Sequence, residues 1–600
     1  MLKKSIGMAL LCMAGQAYSA EIIVTTTEDI EKDDKECSLR EAVEYVNRGL
    51  AKEGYMGCGG ENAIGTIILK EKTTYVLNKH IPIKKSVTIK SIAEVDGEFS
   101  STDKVMGLYN AHIQMKGTDN LFRISNDEEL IQVNLKELDL EGCGKSSCAE
   151  QGGLIHNKGK LVIDYSRLYK GAASQGGAIY NVGKFGQNLI AFAEIKTSLI
   201  ENNQAQQGGI LYSQLPYFLV YQSVLKNNQT LNNNNATNIY TAGQVDNPAD
   251  IQSINAEVLS STLLKNKGAL INVIDGVGIN NLTIVDNTGT ALRISAPNGK
   301  AYVANSIILR NGTQDCQIET TDKSTIHNNL VTASCGTGDA TYPNQIWTGT
   351  WLFAEASDQS EGVCLNLKQN NDAILCPYSV PKDQFLGYLR PRILLNYNQV
   401  SDSPIVNRGT SYNSSNPPVS CEAADQRGVD RLLDNLFCDR GAIEITVPTS
   451  TSLVGQDLLK GETAKFSIES ALGDSDLIPK EQCNNIIGEN PKGEPWQDGC
   501  LQVIQTKTVS KGKTVIDIDG NVVYTPDSQW HGADIFEIQV VTSSTRFNKS
   551  KPYLVLSTQI VQEPKNEMKD KSVKTSGGAW GIAGLMGLIG LIGLRRRLKD

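Results

Sequence analysis

Of thirteen cysteines, the twelve outside the first twenty residues carry the clearest chemistry in the chain, because they fall as near neighbours. Cys37 lies near Cys58, Cys143 near Cys148, Cys316 near Cys335, Cys364 near Cys376, Cys421 near Cys438, and Cys483 near Cys500. An even number of thiols suits oxidation to disulfides in an oxidising compartment, and six short local staples are the simplest arrangement, although spacing does not fix connectivity. Zinc is the competing chemistry. It is disfavoured, because no Cys-x-x-Cys occurs and the chain has only five histidines.

Asp517, Asp519 and Asn521 alternate as calcium ligands do, but the rest of a twelve-residue EF-hand loop is missing, so calcium is a weak expectation and no other metal or cofactor is expected. Arg40 and Glu41 lie in a short helical segment, where an ion pair or surface role is expected over catalysis. Asp and Arg alternate at Asp425-Gln426-Arg427-Gly428-Val429-Asp430-Arg431 and again at Cys438-Asp439-Arg440-Gly441-Ala442-Ile443-Glu444. Such a pattern reads as a salt-bridged edge that blocks further strand addition.

A lyase would need clustered carboxylates and a basic residue, and a hydrolase needs paired carboxylates at a defined separation. Asp164, Glu194, Asp275 and Asp286 are scattered instead, the repeated segments contain no Trp to stack on sugars, and no nucleophile elbow, Walker loop or dinucleotide fingerprint occurs. The expectation is a non-enzyme. The formal net charge of −9 argues against nucleic acid and anionic lipid as partners.

The elements that position these residues are repetitive. Six segments begin with Ser or Thr, continue with two mostly apolar residues, and end in a polar turn; they start at Ser166, Ser198, Ser223, Thr262, Thr283 and Ser306. In four of them the fifth residue is Asn: Asn202, Asn227, Asn266 and Asn287. Asn tolerates left-handed backbone, and stacked Asn side chains bond along a coil axis, so these are expected to form a ladder. Gly152-Gly153-Leu154-Ile155-His156-Asn157, Gly176-Gly177-Ala178-Ile179-Tyr180-Asn181 and Gly208-Gly209-Ile210-Leu211-Tyr212-Ser213 form a second repeat, a bend followed by a strand.

These repeats predict a parallel β-helix over residues 61–445. A cap precedes it at residues 21–60, where Leu39, Val43 and Val46 share a helical face and Ser38 with Glu41 makes a capping box. Residues 446–561 read as a separate β-rich module, with a hairpin at 515–526 and a further strand at 532–540, and residues 562–576 as a polar linker.

Both ends read as sorting signals. Lys3 and Lys4, an apolar stretch from Ile6 to Ala14 and small residues up to Ala20 make residues 1–20 a secretory signal peptide, with cleavage expected after Ser19 or Ala20. At the other end Gly577-Gly578 precedes an apolar run from Ala579 to Leu594, then Arg595-Arg596-Arg597. The run is somewhat short of the ~20 residues that span a bilayer, with flanking residues able to complete it, and the basic cluster is expected to stay cytoplasmic.

The tail over residues 577–600 resembles the GlyGly-CTERM signal, which is read by a rhomboid-type protease, rhombosortase. The hexapeptide Cys37-Ser38-Leu39-Arg40-Glu41-Ala42 is the signature of the CSLREA domain of secreted bacterial β-helix proteins, and the segments from Ser403 to Glu444 resemble the closing part of such proteins. Together these features resemble the rhombotarget A family of Gram-negative bacteria. The resemblance implies an all-β chain: a right-handed parallel β-helix with a helical cap, then an Ig-like or cadherin-like sandwich, then a transmembrane sorting helix. It also implies rhombosortase and the type II secretion machinery as partners, transient anchoring in the inner membrane facing the periplasm, and release to the cell surface or medium. An adhesion, recognition or structural role is expected there, with a surface glycan or host protein as ligand. A polysaccharide lyase or glycoside hydrolase working in a groove of the β-helix is the alternative.

Overall fold

The computed structural model describes residues 20–92, 109–353, 372–378, 386–447 and 454–562, with breaks inside the longer stretches. The leader up to Ser19, Cys364, Asp275, Asp517, Asp519 and the tail from Gly577 to Arg597 and beyond lie outside the described residues. Among the described residues no helix is long and apolar enough to cross a membrane. Two compact units are present, the first dominated by residues 1–449 and the second built from residues 450–471, 503–541 and the chain from Tyr553 onward.

In the first unit, strands of three to eight residues alternate inward apolar and outward polar side chains. Lys160–Asp164 is representative: Leu161 and Ile163 are buried and their neighbours half-buried. Each such strand pairs in parallel with its equivalents in the preceding and following coils, Leu161 lying between Val133 and Ala193. Repetition builds two eleven-stranded sheets, one nine-stranded sheet and a short four-stranded one, in the manner of a parallel β-helix. One continuous core of Ile, Leu, Val and Ala fills the interior, running from Ile22 to Val331. Strands at Ala63–Lys70, Thr74–Leu77 and Val87–Ile92 form the first coils.

The corners carry two ladders. The Ser198, Ser223 and Ser261 hydroxyls each accept the backbone N–H of the ladder residue one coil earlier, at 3.2, 3.1 and 3.0 Å, and donate to the carbonyl two residues back in their own coil. The Asn ladder runs Asn203, Asn228, Asn266, Asn287 and Asn311, each side-chain oxygen accepting from the coil before. Asn266 and Asn287 are ladder members as expected, but Asn202 and Asn227 are not; their neighbours Asn203 and Asn228 take that place.

Two roles that the sequence assigns to one residue are therefore split between two. Asn202, Asn227, Lys265, Asp286 and Arg310, each just before a ladder Asn, have left-handed backbone with φ of 54–56°. The register also shows that the segments starting at Thr262 and Thr283 begin one residue earlier, since Val224 is opposite Thr262 and Thr262 opposite Thr283.

The cap helix Leu39–Asn47 carries the expected capping box: Glu41 N–H donates to Ser38 Oγ at 3.2 Å and Ser38 N–H to Glu41 Oε2 at 2.8 Å. Leu39, Val43 and Val46 join the interior core at its first coil. Arg40 is a structural tie. Its guanidinium forks onto buried Asp29 at 2.7 and 3.0 Å and donates to the carbonyls of Lys79 and His80.

The described residues between 347 and 445 lie along the side of the solenoid. The later strands of the second eleven-stranded sheet expose Leu264, Val285, Ile307, Leu309 and Leu330 outward, and Trp347, Leu352, Ile374, Leu375, Leu389 and Ile405 cover them. Polar corner residues hold this lateral strap in place: Asn280 donates to Ser420 O, Asn281 Oδ1 accepts from Glu422 N–H, Asn305 Oδ1 from Thr410 N–H, and Thr283 Oγ1 from Ala442 N–H. The Asp/Arg alternation is salt-bridged as expected, and it serves this docking. Arg427 pairs with Asp425 and Arg431 with Glu444, all four side chains being largely buried, while Asp439 accepts the N–H groups of Asn407 and Ile445.

Burial pushes the Glu444 carboxyl up to about 7 and raises buried Asp439 as well, with Glu444 adding to the latter. A carboxyl raised above its unfolded value stabilises the fold below that value, and the contribution is lost as pH rises through the folded pKa. The unfolding midpoint is thus expected to fall from about pH 5 to about pH 8, and Glu444→Gln to flatten the profile; a rising midpoint in that window contradicts it.

Five cysteine pairs are joined among the described residues, Cys37–Cys58, Cys143–Cys148, Cys316–Cys335, Cys421–Cys438 and Cys483–Cys500, with Cα separations of 4.7–6.4 Å. The second unit has a four-stranded sheet of Val454–Leu458, Leu554–Gln562, Gly532–Val541 and Gln502–Lys507, and a three-stranded sheet of Ala464–Ser467, Asn521–Pro526 and Gly512–Ile516. Tyr524 stacks on Phe536 between the two, 6.2 Å apart. The predicted hairpin is present, Gly512–Ile516 against Asn521–Pro526.

Candidate functional site

The glycine-pair repeat positions a row of rings on the outside of the solenoid. After each bend, the strands Ile155–Asn157, Ile179–Asn181 and Leu211–Ser213 place their first and third residues inward and turn the middle one away from the core, half-buried at His156 and Tyr212 and covered at Tyr180. The pairing is in register, so His156, Tyr180, Tyr212 and Tyr240 follow one another coil by coil. Ring centroids are 5.3, 5.2 and 5.3 Å apart; the first two pairs are nearly parallel, at 18° and 14°, and the last is tilted by 49°. Asn272 and Arg293 continue the row in the next two coils.

Across the bend the four-stranded sheet supplies a second wall. Gln151, Gln175 and Gln207 are in register, with Gln151 Nε2 donating to Gln175 Oε1 at 3.1 Å. Between the walls lies an open cleft of about 670 Å³, lined among others by Glu150, Gln175, Gln207, Tyr212, Tyr240 and Arg293.

The cleft is polar, with Glu150 and Arg293 the charged groups among its lining, and the ring row beside it is neutral. Burial lowers the His156 imidazole to about 4, with Lys158 and Arg123 adding to the effect, so it is neutral at neutral pH. Burial also raises Tyr180 and Tyr212, which stay protonated phenols. Tyr180 Oη accepts from Gln214 Nε2 at 2.7 Å, which holds its ring in the row. Phenols, carboxamides, one carboxylate and one guanidinium can donate and accept hydrogen bonds at repeated heights; they are suited to recognising a hydroxyl-rich ligand.

Sequence reasoning missed this site. It read the repeat for its glycines and sought Trp for stacking, whereas the usable signal was the aromatic at the fifth position, His156, Tyr180 and Tyr212. Tyr240 lacks a glycine pair before it and is found only through register.

A second cluster sits on the outer face of the second eleven-stranded sheet. Glu141 Oε2 lies 2.7 Å from His112 Nε2 and accepts from Tyr169 Oη at 3.1 Å, while Lys170 Nζ reaches Glu141 Oε1 at 2.6 Å. Arg167 pairs with Glu201, and Asn110 donates to Asp139. Burial raises the Asp139 carboxyl despite that donor; Glu141 is lowered, where the Lys170, Tyr169 and His112 contacts together outweigh its burial.

The carboxylates that the sequence leaves scattered do not come together among the described residues. Asp164 pairs with Lys136 and Glu194 with Lys196 on the outer face of the first sheet. Asn521 begins a strand of the second unit, and among the described residues no three metal-ligating side chains gather. No protein-family profile matches the chain, and no curated protein is detectably similar to it in sequence.

Proposed function

We propose that this chain is an exported, disulfide-stapled recognition protein whose solenoid presents a rigid lateral cleft to an extended polymer. The observation that carries the reading is the cleft itself, with neutral hydrogen-bonding groups repeating coil by coil on a scaffold ordered by two internal ladders. The leader, the Gly577-Gly578 tail and the hexapeptide at Cys37 support its placement as a rhombotarget-type substrate of rhombosortase and of type II secretion. In this reading the β-helix is right-handed, the second unit is an Ig-like sandwich, and the apolar tail helix anchors the chain in the inner membrane until it is cut.

Two measurements test the proposal. The intact mass of protein recovered from the medium and cell surface should place the C-terminus near Gly577-Gly578, with alkylation of twelve cysteines only after reduction. A mass retaining Arg595 to Asp600 means a permanent anchor. For recognition, Ser174→Trp fills the cleft from its wall and should abolish retention of the exported protein on intact cells or their surface polymers; unchanged retention rejects the cleft.

The cluster around Glu141 favours a second reading, hydrolysis or elimination on a polysaccharide, because it gathers two carboxyls, an imidazole, a phenol and an ammonium on one outer face. New reducing ends or unsaturated sugar products that disappear in Glu141→Gln would establish it.

A further inference from the structure

We infer that the cleft binds a glycan chain running along the solenoid axis, with an acidic sugar seated between Tyr240 and Arg293. This rests on the recognition reading above and specifies its ligand.

The lining repeats at one coil spacing, ~4.8 Å between parallel strands. Gln175 and Gln207 recur on one wall and the phenols of Tyr212 and Tyr240 on the other. A ligand that satisfies successive coils must itself repeat at a short interval and offer hydroxyls at each step, as a sugar chain does. An extended peptide would instead seek a free strand edge, and the strands carrying Tyr180 and Tyr212 are paired on both sides.

The ring row stops at a specific place. His156, Tyr180 and Tyr212 each have a ring packed against the next coil's side, but the residue after Tyr240 in register is Asn272, whose side chain is shorter than a phenol. Among the described residues no ring packs on that face of Tyr240, and the C–H face of a sugar ring fits such a surface. Arg293 is the next residue in the row and lines the same cleft. No carboxylate of the described residues pairs with it. Its planar fork suits a carboxylate, held in two parallel hydrogen bonds. Glu150 stands several coils away at the opposite end of the cleft, which places the anionic group at the Arg293 end and neutral hydroxyls at the other.

The test measures binding of the exported protein to short oligouronates, to their carboxyl-reduced neutral counterparts and to sulfated neutral oligosaccharides. The oligouronates should bind about ten- to hundredfold more tightly than the reduced forms, the range expected for a hydrogen-bonded charge. Arg293→Gln should erase that preference by weakening the oligouronates far more than the reduced forms, and Tyr240→Leu should weaken both ligands to a similar degree. The unfolding midpoint of each variant separates a lost site from a lost fold. Equal binding of acidic and reduced forms, or an undiminished preference in Arg293→Gln, overturns the acidic-sugar assignment and leaves recognition standing. A preference for the sulfated series over the uronates overturns the carboxylate. Failure to bind any glycan while retention on cells persists overturns the glycan; loss of that retention as well removes the recognition reading itself.

Discussion

Arg40→Ala is expected to destabilise the first unit by about 3–5 kcal/mol and to release its N-terminal cap. The guanidinium satisfies Asp29 in a fork at 2.7 and 3.0 Å and the carbonyls of Lys79 and His80 at 2.7 and 2.9 Å. Asp29 keeps one further donor, the Asn78 N–H at 2.7 Å. Its side chain is only 2% exposed, so truncating the arginine strands a carboxylate away from water. The cap is what covers the first coil's apolar end, and a solenoid with an open end exposes core residues such as Ile67 and Ile83. Urea unfolding with limited proteolysis checks this: early cleavage N-terminal to Ala63 should accompany the loss. Arg40→Lys keeps the charge but not the fork and should fall between the two. A change within about 0.5 kcal/mol, as for an ordinary surface site, would sink the argument.

Gly177→Ala should be worse, costing more than about 4 kcal/mol or preventing secretion of folded protein. An added Cβ there would stand 2.2 Å from the Gly209 carbonyl oxygen and 2.7 Å from that of Gln204, both backbone atoms of the next coil. Neither can move alone, because both coils are tied into sheets in register on either side of the bend. The preceding Gly176 has a different constraint, a left-handed φ of 71°. Gly428→Ala is the control: its φ is also positive, at 82°, but nothing lies within 4 Å of the added carbon, so it should cost only the ~1–2 kcal/mol of left-handed strain. Circular dichroism midpoints and secreted yield rank the two variants, and equal effects would mean that coil contact is not what excludes the methyl group.

Much of the architecture was legible in the chain. Period-two alternation sends Leu161 and Ile163 inward whatever their partners are, so strands, their buried faces and hence a stacked β fold follow from local pattern. The capping box at Ser38 and Glu41 is equally local, closing within four residues. The cysteine neighbours were informative for the same reason, since five short loops close as disulfides.

What required the tertiary structure is everything that depends on register between coils. The ladder serines and asparagines that touch are 32, 25 and 38 residues apart in successive coils and 21 in the next, because loops of unequal length are inserted between them. No fixed period marks the partners, and at a corner reading Asn-Asn the choice between Asn202 and Asn203 falls to whichever side chain faces the next coil after the left-handed residue. The lateral course of the Asp/Arg segment and the ring row from His156 to Tyr240 are decided in the same way. Alternation determines from sequence alone which side of a strand each residue faces; only stacking determines which residues then lie side by side.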